Sequence, residues 1–224
     1  MEFGQLIEFY KELACNNDKV WFDANKARYK ALRADFDSFA ERTIAKMAEL
    51  DSDLKGLTVA NCTYRIYRDI RFSPDKTPYK TFIGLWMPKG GKKGPYAGYY
   101  LHIQPHDNTY FMGGGSYMLA KPLLNSVRED IMCNPAEFAA RIKAAKGFEL
   151  DWESALKKQP SDWPASGEYA SYFRLKDFFV MKRIDAAYLC DADFEKRLVA
   201  DFSRCVPFVR GLNRAISYAL ELEE

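Results

Sequence analysis

At 224 residues, with 48% hydrophobic and 15% aromatic content, the chain carries enough apolar mass for a full core and fits a single domain over 1–224. Its 33 basic and 31 acidic residues nearly cancel, which excludes a general nucleic-acid coat or a strongly acidic binding surface and leaves charge-driven recognition to local patches. No apolar run approaches the roughly 20 residues that span a bilayer. The first residues carry acid where a secretory signal carries base, and the five cysteines form no Cys-x-x-Cys pair. The expectation is a soluble cytoplasmic protein with free thiols, no metal site and no membrane partner.

Phe3, Leu6, Ile7, Tyr10, Leu13 and Ala14 recur at steps of three and four, predicting an amphipathic helix that ends near Cys15. Asn16, Asn17 and Asp18 supply short acceptors to stop it and to cap the next helix, whose first turns carry Trp21, Phe22 and Asn25. The helical step continues through Tyr29, Leu32, Phe36, Phe39, Thr43, Met47 and Leu50, and Asp51, Ser52, Asp53 and Gly56 close it. Trp21, Phe22 and Tyr29 read as core, not as a ligand cage.

Beyond Gly56 the apolar period changes to two. A strand over residues 62–72 would point Tyr64, Ile66, Ile70 and Phe72 one way and Arg65, Tyr67, Asp69 and Arg71 the other. Arg68 falls on the apolar side, so it requires a carboxylate there or a bulge at Arg68 and Asp69. Pro74 and Pro78 force a turn before a second strand over 81–87. Lys89, Lys92 and Lys93 with their glycines read as a flexible, solvated hairpin. A third strand over 99–104 places Tyr100, His102 and Gln104 on one face, and a reverse turn holding His106 leads into a fourth strand over 109–112.

Gly113, Gly114 and Gly115 leave that strand toward a helix of about 123–132. Close backbone packing or a bulge is their favoured reading, and a second wall of a binding site is the functional one. Asn134, Pro135 and Glu137 predict a capping box for a helix ending near Gly147. Residues 148–177 show no steady period and read as an aromatic-rich connection with a short helix near Ala155. Residues 178–184 predict a fifth strand, and the apolar series from Phe194 to Ile216 predicts a long final helix that Pro207 should kink or split. The fold class is therefore α+β, a mostly antiparallel sheet of four to five strands packed against N-terminal and C-terminal helices.

Chemistry concentrates in residues 64–81. Removing this stretch's five basic and two acidic residues from the totals of 33 and 31 leaves 28 and 29, so the excess positive charge is local. Guanidinium forks, ammonium groups and phenol hydroxyls suit carboxylate or phosphate oxygens. Arg65, Tyr67, Arg71, Lys76, Tyr79 and Lys80 are the candidate ligand-binding set, for a small anionic molecule in a basic, tyrosine-bordered pocket. The competing reading is that these arginines pair with the protein's own acids. Asp69 and His102 are weak catalytic candidates for a hydrolase or group-transfer alternative, since no nucleophile or second acid stands at a legible spacing. Flanking arginines should depress the Asp69 pKa and make it a structural partner, and His102 reads first as a hydrogen-bonded sheet histidine. A nucleic-acid-binding module, tracking a backbone with this stretch and the Lys89 to Lys93 loop, is a further alternative. The sequence names no cofactor and no oligomeric state.

Asn16-Asn17 followed by Trp21-Phe22, Asn25 and Tyr29, the run from Tyr64 to Thr81, the triple glycine, Arg128, and Arg174 with Lys176 together form a pattern. On it the chain resembles, over nearly its whole length, the family called domain of unknown function 2461. The resemblance implies a bacterial-type soluble domain and assigns it no activity.

Overall fold

The computed structural model describes residues 2–222. Helix α1 (Phe3–Cys15) meets α2 (Lys19–Leu50) at a tight corner, where the Asp18 carboxylate accepts from the Trp21 amide at 2.9 Å and caps α2. A single turn, α3 (Val59–Cys62), opens with a capping box between Thr58 and Asn61. Five strands follow, β1 (Ile83–Pro88), β2 (Gly98–Gln104), β3 (Thr109–Ser116), β4 (Glu149–Leu150) and β5 (Phe178–Arg183), with α4 (Lys121–Cys133) and α5 (Pro135–Ala144) between β3 and β4. Helices α6 (Ala186–Cys190) and α7 (Phe194–Glu221) end the chain. The strands form one antiparallel sheet in the order β1-β2-β3-β5-β4, so the fold is α+β.

Strand alternation gives this sheet two different faces. Leu85, Met87, Tyr99, Leu101, Ile103, Met112, Phe178 and Val180 are buried on one. That face packs on α7, with the Tyr99 and Phe202 rings 5.6 Å apart and Gly114 against Cys205 and Val209. The other carries Trp86, Tyr100, His102, Phe111, Phe179 and Met181, several of them only half-buried. No helix of the chain is long and apolar enough, among the described residues, to cross a membrane.

Four expectations need correction. Residues 62–72 are not a strand. After α3 the chain runs as an irregular hairpin, joined by one bridge between Tyr67 and Tyr79 and by the Arg68 amide to Pro78 O and the Lys80 amide to Ile66 O. Pro74 and Pro78 limit the ladder, and side chains take over the bonding. The triple glycine lies inside β3, paired with β2 on one side and β5 on the other, so its backbone is committed to the sheet. Asn134 makes no side-chain cap. Its amide donates to Asp130 at 3.2 Å while Glu137 pairs with Arg141 at 2.6 Å, because α4 and α5 abut with only Asn134 between them. Finally, α7 is not split at Pro207. Phe202, Cys205, Phe208 and Val209 are all buried around it, and burying side chains of this kind, at about 1.5–3 kcal/mol for each large one, outweighs the roughly 3 kcal/mol a mid-helix proline costs.

Candidate functional site

The hairpin of residues 63–82 is positioned from outside itself. Asn17 donates to Tyr79 O at 2.8 Å and accepts from the Tyr79 amide at 3.0 Å, and the Tyr79 ring stacks on Phe22 with centroids 4.0 Å apart. Tyr67 packs at 5.5 Å from Tyr79 with its own ring half exposed. Arg68, the residue that broke the sequence alternation, finds its carboxylate: it binds Asp75 and also the carbonyl and hydroxyl of Thr77, closing the turn.

The six nominated side chains do not converge on one hollow. Arg71 lies on the surface, bidentate to Asp69 at 2.7 and 3.0 Å, and that bond holds the Asp69 carboxyl below its ordinary value. Asp69 is thus the structural partner of an arginine, as expected from its flanks. Lys76 donates to Ile70 O at 3.0 Å within the turn. Beside the hairpin lies a cavity of about 550 Å³ that Asp69, Tyr79 and Lys80 line, but Arg68 and Asp75 line it too, so it is mixed in sign and not basic.

Charge does gather around the Tyr64 ring. The Lys80 ammonium donates to Arg65 O at 3.1 Å and lies 5.2 Å from the Tyr64 ring centroid, and the Lys92 ammonium lies 5.1 Å from the same ring. Lys92 also donates to the carbonyls of Ala60 and Thr63. Burial, and after it the charges of Arg65 and Lys92, push the Lys80 ammonium below its ordinary pKa. Among the described residues no carboxylate forms an ion pair with Arg65, Lys80 or Lys92. Lys92 was missed because the Lys89 to Lys93 loop is not a free hairpin: the Lys92 amide donates to Asn61 O at 2.9 Å, and Lys89 reaches Asp53 at 3.7 Å. Only the docking of this loop against α3 brings residue 92 beside residues 64 and 80.

The same Tyr64 and Lys92 border a cleft of about 710 Å³ on the open face of the sheet, with Trp86, Tyr100, Phe111 and Phe179 among its lining. Behind it runs a chain of hydrogen bonds: Tyr100 hydroxyl to His102 Nδ1 at 2.9 Å, His102 Nε2 to Gln104 Oε1 at 3.1 Å, and Gln104 Nε2 to Asp107 at 2.7 Å. Both ring nitrogens of His102 are taken, neither by Asp69, and the ring is stacked on Phe111 at 4.8 Å. His102 is a hydrogen-bonded sheet histidine, and the two weak catalytic candidates form no pair. His106 sits exposed in a 3-10 turn, Pro105–Asp107. Cys62 and Cys205 are buried and their thiols pushed up to about 12, and all five cysteines are free. Among the described residues no group of three or more His, Cys, Asp or Glu is gathered to hold a metal ion.

The family model described as a conserved hypothetical protein (DUF2461) matches residues 5–210. No curated protein and no solved structure matches the chain.

Proposed function

We propose that this chain, which belongs to the DUF2461 family, binds a small molecule through a phosphate or carboxylate group received by Arg65, Lys80 and Lys92 at the edge of the Tyr64 ring. One observation carries the reading: the Lys80 and Lys92 ammonium groups lie over one ring, Tyr64, with the Arg65 charge near enough to act on Lys80, and no carboxylate is paired to any of the three among the described residues. Like charges held together raise each other's free energy, and a bound anion removes that repulsion. Of the nominated residues, Arg65 and Lys80 belong to this group. Tyr67 and Tyr79 position it, while Arg71 and Lys76 serve the turn. Enzymatic turnover gains no support from this geometry, since Asp69 and His102 are apart in bonding and each is already engaged.

The test is thermal unfolding in the presence of phosphate, phosphorylated metabolites, nucleotides and small carboxylic acids. At a concentration about 100 times Kd a ligand specific for the folded state stabilises it by about 2.7 kcal/mol, a rise of about 5–10 °C for a chain of this size. Arg65→Gln, at an exposed position, should leave the unliganded midpoint unchanged and weaken binding by about tenfold or more, the usual cost of losing a hydrogen bond to a charged group. If no phosphate or carboxylate compound shifts the wild type, or if Arg65→Gln and Lys80→Met bind as well as it does, the reading fails.

A further inference from the structure

Beyond the anion group, we infer that the aromatic cleft on the open face of the sheet holds a planar ring, so that the ligand class is a planar aromatic or heteroaromatic acid. The acidic half of this inference rests on the reading above, and the ring half on the cleft itself.

Glycines make room for the rings that line the cleft. A Cβ on Gly84 would lie 2.8 Å from the Tyr100 ring, and one on Gly113 would lie 2.4 Å from the Phe179 ring. Both rings therefore reach over glycines of neighbouring strands, into space that any other side chain would fill. Around them Trp86 and Phe111 stand at 79° and 66° to the Tyr100 ring, so the cleft is walled by aromatic rings set at steep angles to one another. The lining is held in place, because the Tyr100 hydroxyl is tied to His102, whose ring is stacked on Phe111. A rigid aromatic lining favours a flat partner over a flexible chain, since stacked or edge-to-face contact needs a π-system and no ordering of rotamers. Its volume, about 710 Å³, falls in the range of small-molecule sites.

The rim carries two further signs. Met118, at the lip, has φ 56°, a left-handed conformation that costs a non-glycine residue about 1–2 kcal/mol. It is kept there by the hydrogen bond its backbone N–H donates to the buried Asp177 carboxylate at 2.7 Å, and its side chain and that of Tyr117 stand exposed beside the opening. At the opposite wall Tyr64 and Lys92 belong to both the cleft and the cation group, so a ring in the cleft places its own substituent beside the ammonium groups. Asp151 is the other charged residue of the lining.

A matched series separates the two halves: 1-naphthyl phosphate, 1-naphthol, inorganic phosphate and octyl phosphate, measured by calorimetry on the wild type, Ala120→Trp, Trp86→Ala and Arg65→Gln. Ala120 is exposed at the mouth, so a tryptophan there blocks the cleft without entering the core. Naphthyl phosphate should bind about tenfold or more tighter than phosphate or octyl phosphate, lose that advantage in Ala120→Trp and Trp86→Ala, and weaken in Arg65→Gln. If phosphate or octyl phosphate binds as tightly as naphthyl phosphate, or Ala120→Trp changes nothing, the ring site is refuted and the anion reading stands. If naphthol equals naphthyl phosphate and Arg65→Gln is silent, the ring site is upheld and the anion reading falls. Absence of binding by all four compounds at millimolar concentration overturns both.

Discussion

Gln104 decides the tautomer of His102. Its amide nitrogen is committed to Asp107, which leaves its oxygen facing the ring, so His102 Nε2 carries the proton and Nδ1 accepts from Tyr100. Burial pushes the His102 pKa below 6.5, with Gln104 and Asp107 opposing more weakly. Below about pH 6.5 the unfolded chain then binds more protons at this position than the folded one, so the stability due to the neutral ring is full above that pH and is lost as pH falls through the folded value. Urea unfolding at several pH values between about 7.5 and about 5 should show the wild type losing stability more steeply than His102→Gln. Equal slopes would show that this ring does not drive the loss. The sequence placed His102 beside Tyr100 and Gln104 on one strand face. It did not reveal which of them the ring bonds, because an i±2 neighbour on a strand is in reach whether or not it is used.

At the scale of the element, the hairpin of residues 63–82 has one backbone bridge and survives on side chains supplied from elsewhere. Asn17 replaces a neighbouring strand, using both ends of its amide on Tyr79. Asn17→Ala removes both bonds and leaves the Tyr79 amide and carbonyl without them, a cost of about 1–3 kcal/mol. Hydrogen exchange should report the loss as faster exchange at the Arg68 and Lys80 amides, which close the hairpin, with the β2 amides unchanged. Unaltered protection at those two positions would mean that Arg68, Asp75 and Thr77 hold the turn alone. The basic, proline-bearing character of the stretch was plain in the sequence. Its failure to form a strand was not, because alternation of tyrosine and arginine looks the same whether the side chains line a sheet or bond the loop's own carbonyls.

At the scale of the whole molecule, α7 and the sheet meet where β3 has no side chain. A Cβ on Gly114 would come within 2.9 Å of Cys205 Cβ and 3.0 Å of Val209 Cγ2, so Gly114→Ala should destabilise the fold by about 1–3 kcal/mol, with Val209→Ala partly rescuing it in a denaturation double-mutant cycle. Additive losses would show that the two positions do not press on each other. The same close approach seats the helix that carries Pro207, which is why a local rule against proline gave way to packing. The order of amino acids by itself determined the long helices, the antiparallel α+β class and the family, since period and turn chemistry act over a few residues and need no partner. Which cations remain unpaired, that Lys92 joins Lys80 at the Tyr64 ring, and that glycines make room for the rings of a cleft were decided by tertiary structure alone. Those are relations between segments far apart in the chain, set by how whole faces pack, and no short-range pattern encodes them.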